Sequence, residues 1–190
     1  MKKFELTNEF KIAFGSKVFR IKALIDFGDV KTGDLGGFVE KEGNLDMSGD
    51  AWVYDNACVS GDAWVSGNAK VYDNAKVYDN AKVYDNAWVY DNACVSGDAW
   101  VSGNAKVSGN AWVSGDAKVY DNADYTTIKG FGTCFRTTTF FRCKDNRIRV
   151  VCGCFYGTID EFRKQVNETR EGKIAKEYLI IADLMEEHFK

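Results

Sequence analysis

The sequence predicts a mainly β protein whose middle is a stack of short parallel strands wound into a three-sided coil. Three observations predict it. From Met47 to Asp124 the chain divides into thirteen units of six residues, with the consensus Val-(Ser/Tyr)-(Gly/Asp)-(Asn/Asp)-Ala-(Trp/Lys/Cys). Repetition this strict at a short period is the signature of a solenoid. Residues 51–71 and 87–107 carry one identical string, AWVYDNACVSGDAWVSGNAKV, at an offset of 36 residues. Proline is absent from all 190 residues, which suits stacked strands that need their backbone N–H groups.

The elements follow in chain order. Residues 1–46 read as an N-terminal β cap. It has strands at Phe4–Phe14 and Lys17–Asp26 and a turn at Gly15-Ser16. Gly33 to Gly37 reads as a turn into the first coil. Residues 47–124 form the repeat. In each unit a triplet such as Trp52-Val53-Tyr54 alternates out, in, out, which is a short strand with valine inward. The Gly-Asn, Gly-Asp or Asp-Asn pair that follows tolerates positive φ and suits a corner. Alanine then returns the chain inward where space is tight. Three units would close an 18-residue coil, which fits the 36-residue offset, as do other multiples of six. The repeat then makes about four coils, roughly 21 Å tall at about 4.8 Å per stacked strand.

Residues 125–190 read as a separate α+β cap domain. Thr133–Lys144 and Arg147–Phe155 form a hairpin across Asp145-Asn146. Thr158 to Glu161 is a capping box opening a helix with Ile159, Phe162 and Val166 on one face, ended by Gly172. A last helix aligns Ile174, Tyr178, Ile181, Met185 and Phe189, a face expected to pack on the hairpin.

The repeat is similar to the hexapeptide repeats of left-handed parallel β-helix proteins. Left-handedness follows from that resemblance, since parallel crossovers are in general right-handed. The flanks resemble a narrower group. Ile21 to Glu40, IKALIDFGDVKTGDLGGFVE, looks like the lead-in of hexapeptide-repeat proteins from phages and prophages, and Cys152 to Val166, CGCFYGTIDEFRKQV, like their C-terminal domain. That group is mostly without an assigned activity and implies no catalytic residues. The resemblance implies a bacterial host, so that any cytoplasmic location would be that of the host.

Composition narrows the function. No run of 18 apolar residues occurs, and no apolar stretch follows the basic start, so neither a membrane span nor a signal peptide is expected. The six cysteines are expected to stay reduced in the cytoplasm. The hexapeptide acyltransferases generally use a histidine near the coils, and the related carbonic anhydrases use three for zinc. The only histidine here is His188, near the C-terminus, so no catalytic residue is assigned and transferase activity is disfavoured. Cys134, Cys143, Cys152 and Cys154 cluster, but without the paired C-x2-C spacing of a zinc knuckle. No metal and no cofactor are expected. Cys152 and Cys154 share a face only if their strand is regular.

The outward columns are the first candidate site. All five tryptophans, Trp52, Trp64, Trp88, Trp100 and Trp112, fall at the sixth position of a unit and are expected to point out. On two sides they alternate with lysines one coil apart, which allows cation–π contacts. Tyr72, Tyr78, Tyr84 and Tyr90 lie at the second position, also outward. Such aromatic area either stabilises the stack or anchors an interface. The expected function is therefore a non-enzymatic scaffold that self-associates as a dimer or trimer. By the resemblance, it would engage a host protein or sequester a host signalling molecule, in an anti-defence role.

The alternative site is basic. The repeat carries eleven Asp against five Lys, whereas the tail from Tyr125 carries twelve bases against nine acids. Arg136, Arg142, Lys144, Arg147 and Arg149 gather on the hairpin among phenylalanines and could contact a nucleotide-like ligand or nucleic acid. The competing reading is a solvated face or a contact with the acidic repeat. The net charge of −3 gives no overall attraction to nucleic acid or to a membrane surface.

Overall fold

In the computed structural model, which describes residues 2–190, the repeat is a three-sided parallel β-solenoid. The first face stacks β4 (Trp52–Val53), β7 (Lys70–Val71), β10 (Trp88–Val89) and β13 (Lys106–Val107). The second stacks β5 (Cys58–Val59), β8 (Lys76–Val77), β11 (Cys94–Val95) and β14 (Trp112–Val113). The third stacks β6 (Trp64–Val65), β9 (Lys82–Val83), β12 (Trp100–Val101) and β15 (Lys118–Val119). Partners are 18 residues apart, as in Trp52 against Lys70 and Lys70 against Trp88. The closed 18-residue coil is therefore the one that the copied block fits.

Each inward valine and alanine from Ala51 to Val119 is at most 1% exposed. Small alanine lets three sides converge, and valine fills what remains. Backbone bonding has a direction. N–H groups at the sixth, second and fourth positions donate to carbonyls one coil on. Examples are Trp52 N to Ala69 O at 3.1 Å, Tyr54 N to Val71 O at 2.8 Å and Asn56 N to Asp73 O at 2.9 Å.

The corners explain the third position. Asp55, Asp73, Asp79, Asp85 and Asp91 all have positive φ, and glycine stands at the equivalent place in every other unit, as at Gly103 (φ 62), except the last, where Asp121 (φ −138) leaves the coil. A Cβ on Gly103 would lie 2.5 Å from the Tyr120 carbonyl oxygen. Where aspartate is tolerated it contributes a bond that glycine cannot. Asp55 accepts from Asp73 N at 3.3 Å, Asp73 from Asp91 N at 3.2 Å, and Asp91 from Gly109 N at 3.0 Å. These carboxylates form a ladder down one corner.

The stack begins before Met47. β1 (Phe4–Ala13) and β2 (Ser16–Ala23) form the expected hairpin, but of the expected turn from Gly33 to Gly37 only the Gly33 end (φ 96) is a turn. Gly36 and Gly37 lie inside β3 (Leu35–Val39), which pairs antiparallel with β2 and parallel with β5. The second face thus has five parallel strands, so the solenoid has about five turns, not four. The glycines are needed for close approach. A Cβ on Gly36 would lie 2.6 Å from Ile21 and from the Val53 carbonyl, and one on Gly37 2.7 Å from the Tyr54 carbonyl.

The C-terminal unit is a four-stranded antiparallel sheet, not a lone hairpin. Its order is β16 (Tyr125–Phe131), β17 (Arg136–Arg142), β18 (Ile148–Cys152), β19 (Phe155–Thr158). The expected turn at Asp145-Asn146 joins β17 to β18, with Asn146 at φ 61. Cys152 ends β18 and Cys154 lies past the positive-φ turn at Gly153, so the regular strand that would align them is broken. The capping box opens α1 (Ile159–Thr169): Thr158 Oγ1 accepts from Glu161 N at 3.2 Å, and Glu161 accepts from Thr158 N at 2.7 Å. α1 ends at Thr169, and Gly172 instead opens α2 (Gly172–His188). Tyr178, Ile181, Met185 and Phe189 are buried with Phe140, Val150 and Phe162. Phe141, Cys143 and Val151 join the solenoid core from below, as Phe4, Ile21 and Leu45 do from above.

Candidate interaction surfaces

The three outward faces differ in how much the caps leave free. On the first face, Trp52 is 1% exposed, held between Phe4 at 6.1 Å and Phe27 at 5.2 Å. This corrects its placement as an outward interface residue, because the lead-in folds over it and takes it into the core. Tyr54 and Lys70 both donate to Asp29, at 3.0 and 2.9 Å. Lower down, Tyr72 stacks on Tyr90 at 5.0 Å, and Lys106 lies 4.5 Å from the Trp88 ring. These groups mostly face one another.

On the third face, Trp100 lies between two ammonium groups, Lys82 at 5.6 Å and Lys144 at 4.4 Å. Tyr84 is half-buried and Lys118 lies 4.8 Å from the Tyr120 ring. Trp64, at the top, stays 39% exposed.

The second face presents a continuous aromatic ridge. Phe14, at the tip of the β1–β2 hairpin, stacks on Tyr78 at 4.3 Å and 17°. Tyr78 adjoins Ser96 and Trp112, burial pushes its hydroxyl up, and Trp112 Nε1 donates to Ser96 Oγ at 3.3 Å. Ile12, Phe14 and Trp112 remain 67%, 48% and 42% exposed. Phe14 has φ 54 and Gly15 φ 79, so a bulky side chain occupies the turn position that Asn or Asp normally takes. Such a conformation costs about 1–3 kcal/mol and persists only where surroundings enforce it. Phe10, Ile12 and Phe14 are not among the sequence-predicted site residues. The signal was a Phe-Gly pair at a two-residue hairpin turn.

The five basic candidates of the C-terminal hairpin do not gather into one site; four are engaged with neighbours, two of them with the same carboxylate. Arg142 meets Asp124 at 3.4 Å and donates to Phe189 O at 3.0 Å. Lys144 donates to Asp98 O at 3.0 Å, in the contact with the repeat that the charge division allowed. Arg149 pairs with Asp145 at 2.9 Å, and Arg147 reaches the same carboxylate at 3.9 Å. Arg136 stands apart, over Gly153.

Among the cysteines, Cys143 is buried, Cys152 half-buried, and Cys134 and Cys154 exposed. Among the described residues no three His, Cys, Asp or Glu side chains gather as metal ligands. Burial and the neighbouring Asp116 push the Cys143 thiol far above its ordinary value. Cys58 and Cys94 lie two coils apart on the second face, with Lys76 between them. His188 is exposed at the end of α2, edge-on to the Phe189 ring at 5.0 Å.

Residues 51–67 and 87–103 match the family model described as YdcK Beta solenoid repeat. Both segments lie within the copied block of the sequence. A comparison with curated proteins found no match. The repeat match and the parallel stack together make the chain a β-solenoid repeat protein. Among the described residues no helix is long and apolar enough to cross a membrane.

Proposed function

We propose that this β-solenoid repeat protein is a non-enzymatic binding scaffold that self-associates as a two-fold dimer through its second face. The observation that carries the reading is the strained Phe14, stacked on Tyr78 and leaving an exposed ridge that ends at Trp112. Aromatic side chains held rigid at low entropic cost are the usual anchors of interfaces. The face is also self-complementary. Lys76 of each copy lies in its middle, Lys11 is bonded to the Asn56 carbonyl at its upper corner, and the exposed Asp79 and Asp91 lie at its two corners. A two-fold axis can then set lysines of one copy against aspartates of the other. A further partner, a host protein or host signalling molecule, is suggested by the phage-like flanks alone.

Light scattering on the intact chain tests the dimer. The wild type should show twice the monomer mass, and the double variant Phe14→Gly/Trp112→Ala should be monomeric with its fold intact by circular dichroism. Trp64→Ala, on the third face, should leave the dimer unchanged. A wild type that stays monomeric, or a double variant that still dimerises, would sink the proposal.

A further inference from the structure

The C-terminal unit contains six arginines, and four meet carboxylates. Besides Arg142, Arg147 and Arg149, Arg163 is held by Asp160, Asp183 and Glu186. Among the described residues the other two, Arg136 and Arg170, have no carboxylate at ion-pair distance, and both line the same cavity. That cavity, about 160 Å³, lies between the β16–β17 and β18–β19 turns and the two helices, and neither Asp nor Glu lines it.

Two guanidinium groups without counter-charge in one concave site create a positive potential. The guanidinium fork matches phosphate or carboxylate oxygens in pairs. Phe155 and the mostly buried Phe162, with ring centroids 5.5 Å apart, line the same cavity. Exposed thiols of Cys134 and Cys154 stand at the same cavity. The volume falls below the roughly 300–1,000 Å³ of pockets for drug-sized ligands, so the occupant is small.

We propose that this cavity binds a small organic phosphate. Its dianionic group is held by Arg136 and Arg170, and its planar apolar body lies against Phe155 and Phe162. The site is independent of the self-association face. Two isolated arginines on a surface would be ordinary. Their sharing of one acid-free cavity with two aromatic rings is what selects an organic anion over bulk solvent.

The thiols supply the readout. Alkylation of Cys134 and Cys154 by iodoacetamide, followed by mass spectrometry on the full chain, should slow in phenyl phosphate. The slowing should be roughly tenfold at about ten times its Kd, by simple occupancy. At matched ionic strength inorganic phosphate should protect less, and benzoate least. Arg136→Gln and Arg170→Gln should each abolish protection, while Arg147→Gln, whose guanidinium is exposed elsewhere, should keep it. Unprotected thiols in phenyl phosphate would overturn the site. Protection by benzoate but not phenyl phosphate would overturn the phosphate assignment, and protection that survives both arginine variants would overturn the role of the guanidinium pair.

Discussion

The two ends of the solenoid are closed by different chemistry, and the direction of the backbone bonds explains why. At the amino end, carbonyls of the first, third and fifth positions have no preceding coil to donate to them. The lead-in supplies donors. Lys3 Nζ reaches Asp46 O, Gly49 O and Ala51 O at 3.2, 3.1 and 2.8 Å. Asn44 Nδ2 bridges Gly61 O and Ala63 O at 3.0 and 2.8 Å. Glu40 accepts from Gly61 N at 2.7 Å, standing where a corner aspartate of a preceding coil would be. At the carboxyl end, N–H groups of the sixth and second positions lack a following coil, and the cap supplies acceptors. Asn122 takes Lys106 N at 2.8 Å, Thr139 takes Trp112 N at 3.0 Å, and Asp124 takes Tyr120 N at 2.9 Å. Each cap imitates the coil that is missing. This leaves few edge groups free to template a second stack.

The difference also has depth. Lys3 and Asn44 are almost fully buried, whereas Asn122 is exposed and Asp124 only half-buried, with Thr139 the buried exception. Losses should therefore be larger at the amino end. Lys3→Met leaves three carbonyls without donors and should cost about 3–5 kcal/mol by urea unfolding. An unchanged midpoint would break the comparison. Lys3 also gives a pH signature. Burial pushes its ammonium down to about 8 from the ordinary 10.5, against the pull of Asp46 and Asp50. Between those values the unfolded chain keeps the proton and the folded chain has lost it, so the Lys3 contribution to stability rises with pH across that window. Subtracting the Lys3→Met profile from the wild-type profile should isolate that slope; an opposite slope would show that the carbonyl acceptors outweigh burial.

Asn44→Ala should come next, at about 2–4 kcal/mol, since two buried carbonyls and Lys41 N lose their partner. At the carboxyl end, Thr139→Val keeps the shape and removes only the acceptor for Trp112 N, for about 1–2 kcal/mol. A loss exceeding that of Asn44→Ala would reverse the ranking of the two ends. In the middle, Asp73→Gly removes the acceptor for Asp91 N but relieves a positive φ. The two effects oppose, and thermal melting should show a change within about 0.5 kcal/mol.

The repeat was legible because every unit obeys one rule. Inward valine and alanine, corner residues with positive φ and the 36-residue copy predicted the registers that pair Trp52 with Lys70 and Trp64 with Lys82. The α1 start was legible for the same local reason: Thr158 and Glu161 satisfy each other. The caps were less legible. Gly36 and Gly37 resemble a turn when read alone, and Trp52 looks like its exposed counterparts. The candidate face was missed at Phe14 because its meaning lies in Tyr78, far along the chain.

The sequence by itself determined the coil length, the inward and outward positions and the corner chemistry, since these depend on neighbours within one period. Only the tertiary structure decided which outward residues stay outward. Burial of Trp52 and the stacking of Phe14 on Tyr78 arise where non-repeating segments fold back on the stack, and Arg136 and Arg170 come to share one cavity where the two helices pack on the C-terminal sheet. Those contacts join residues of large separation, and no local pattern encodes which pairs will meet.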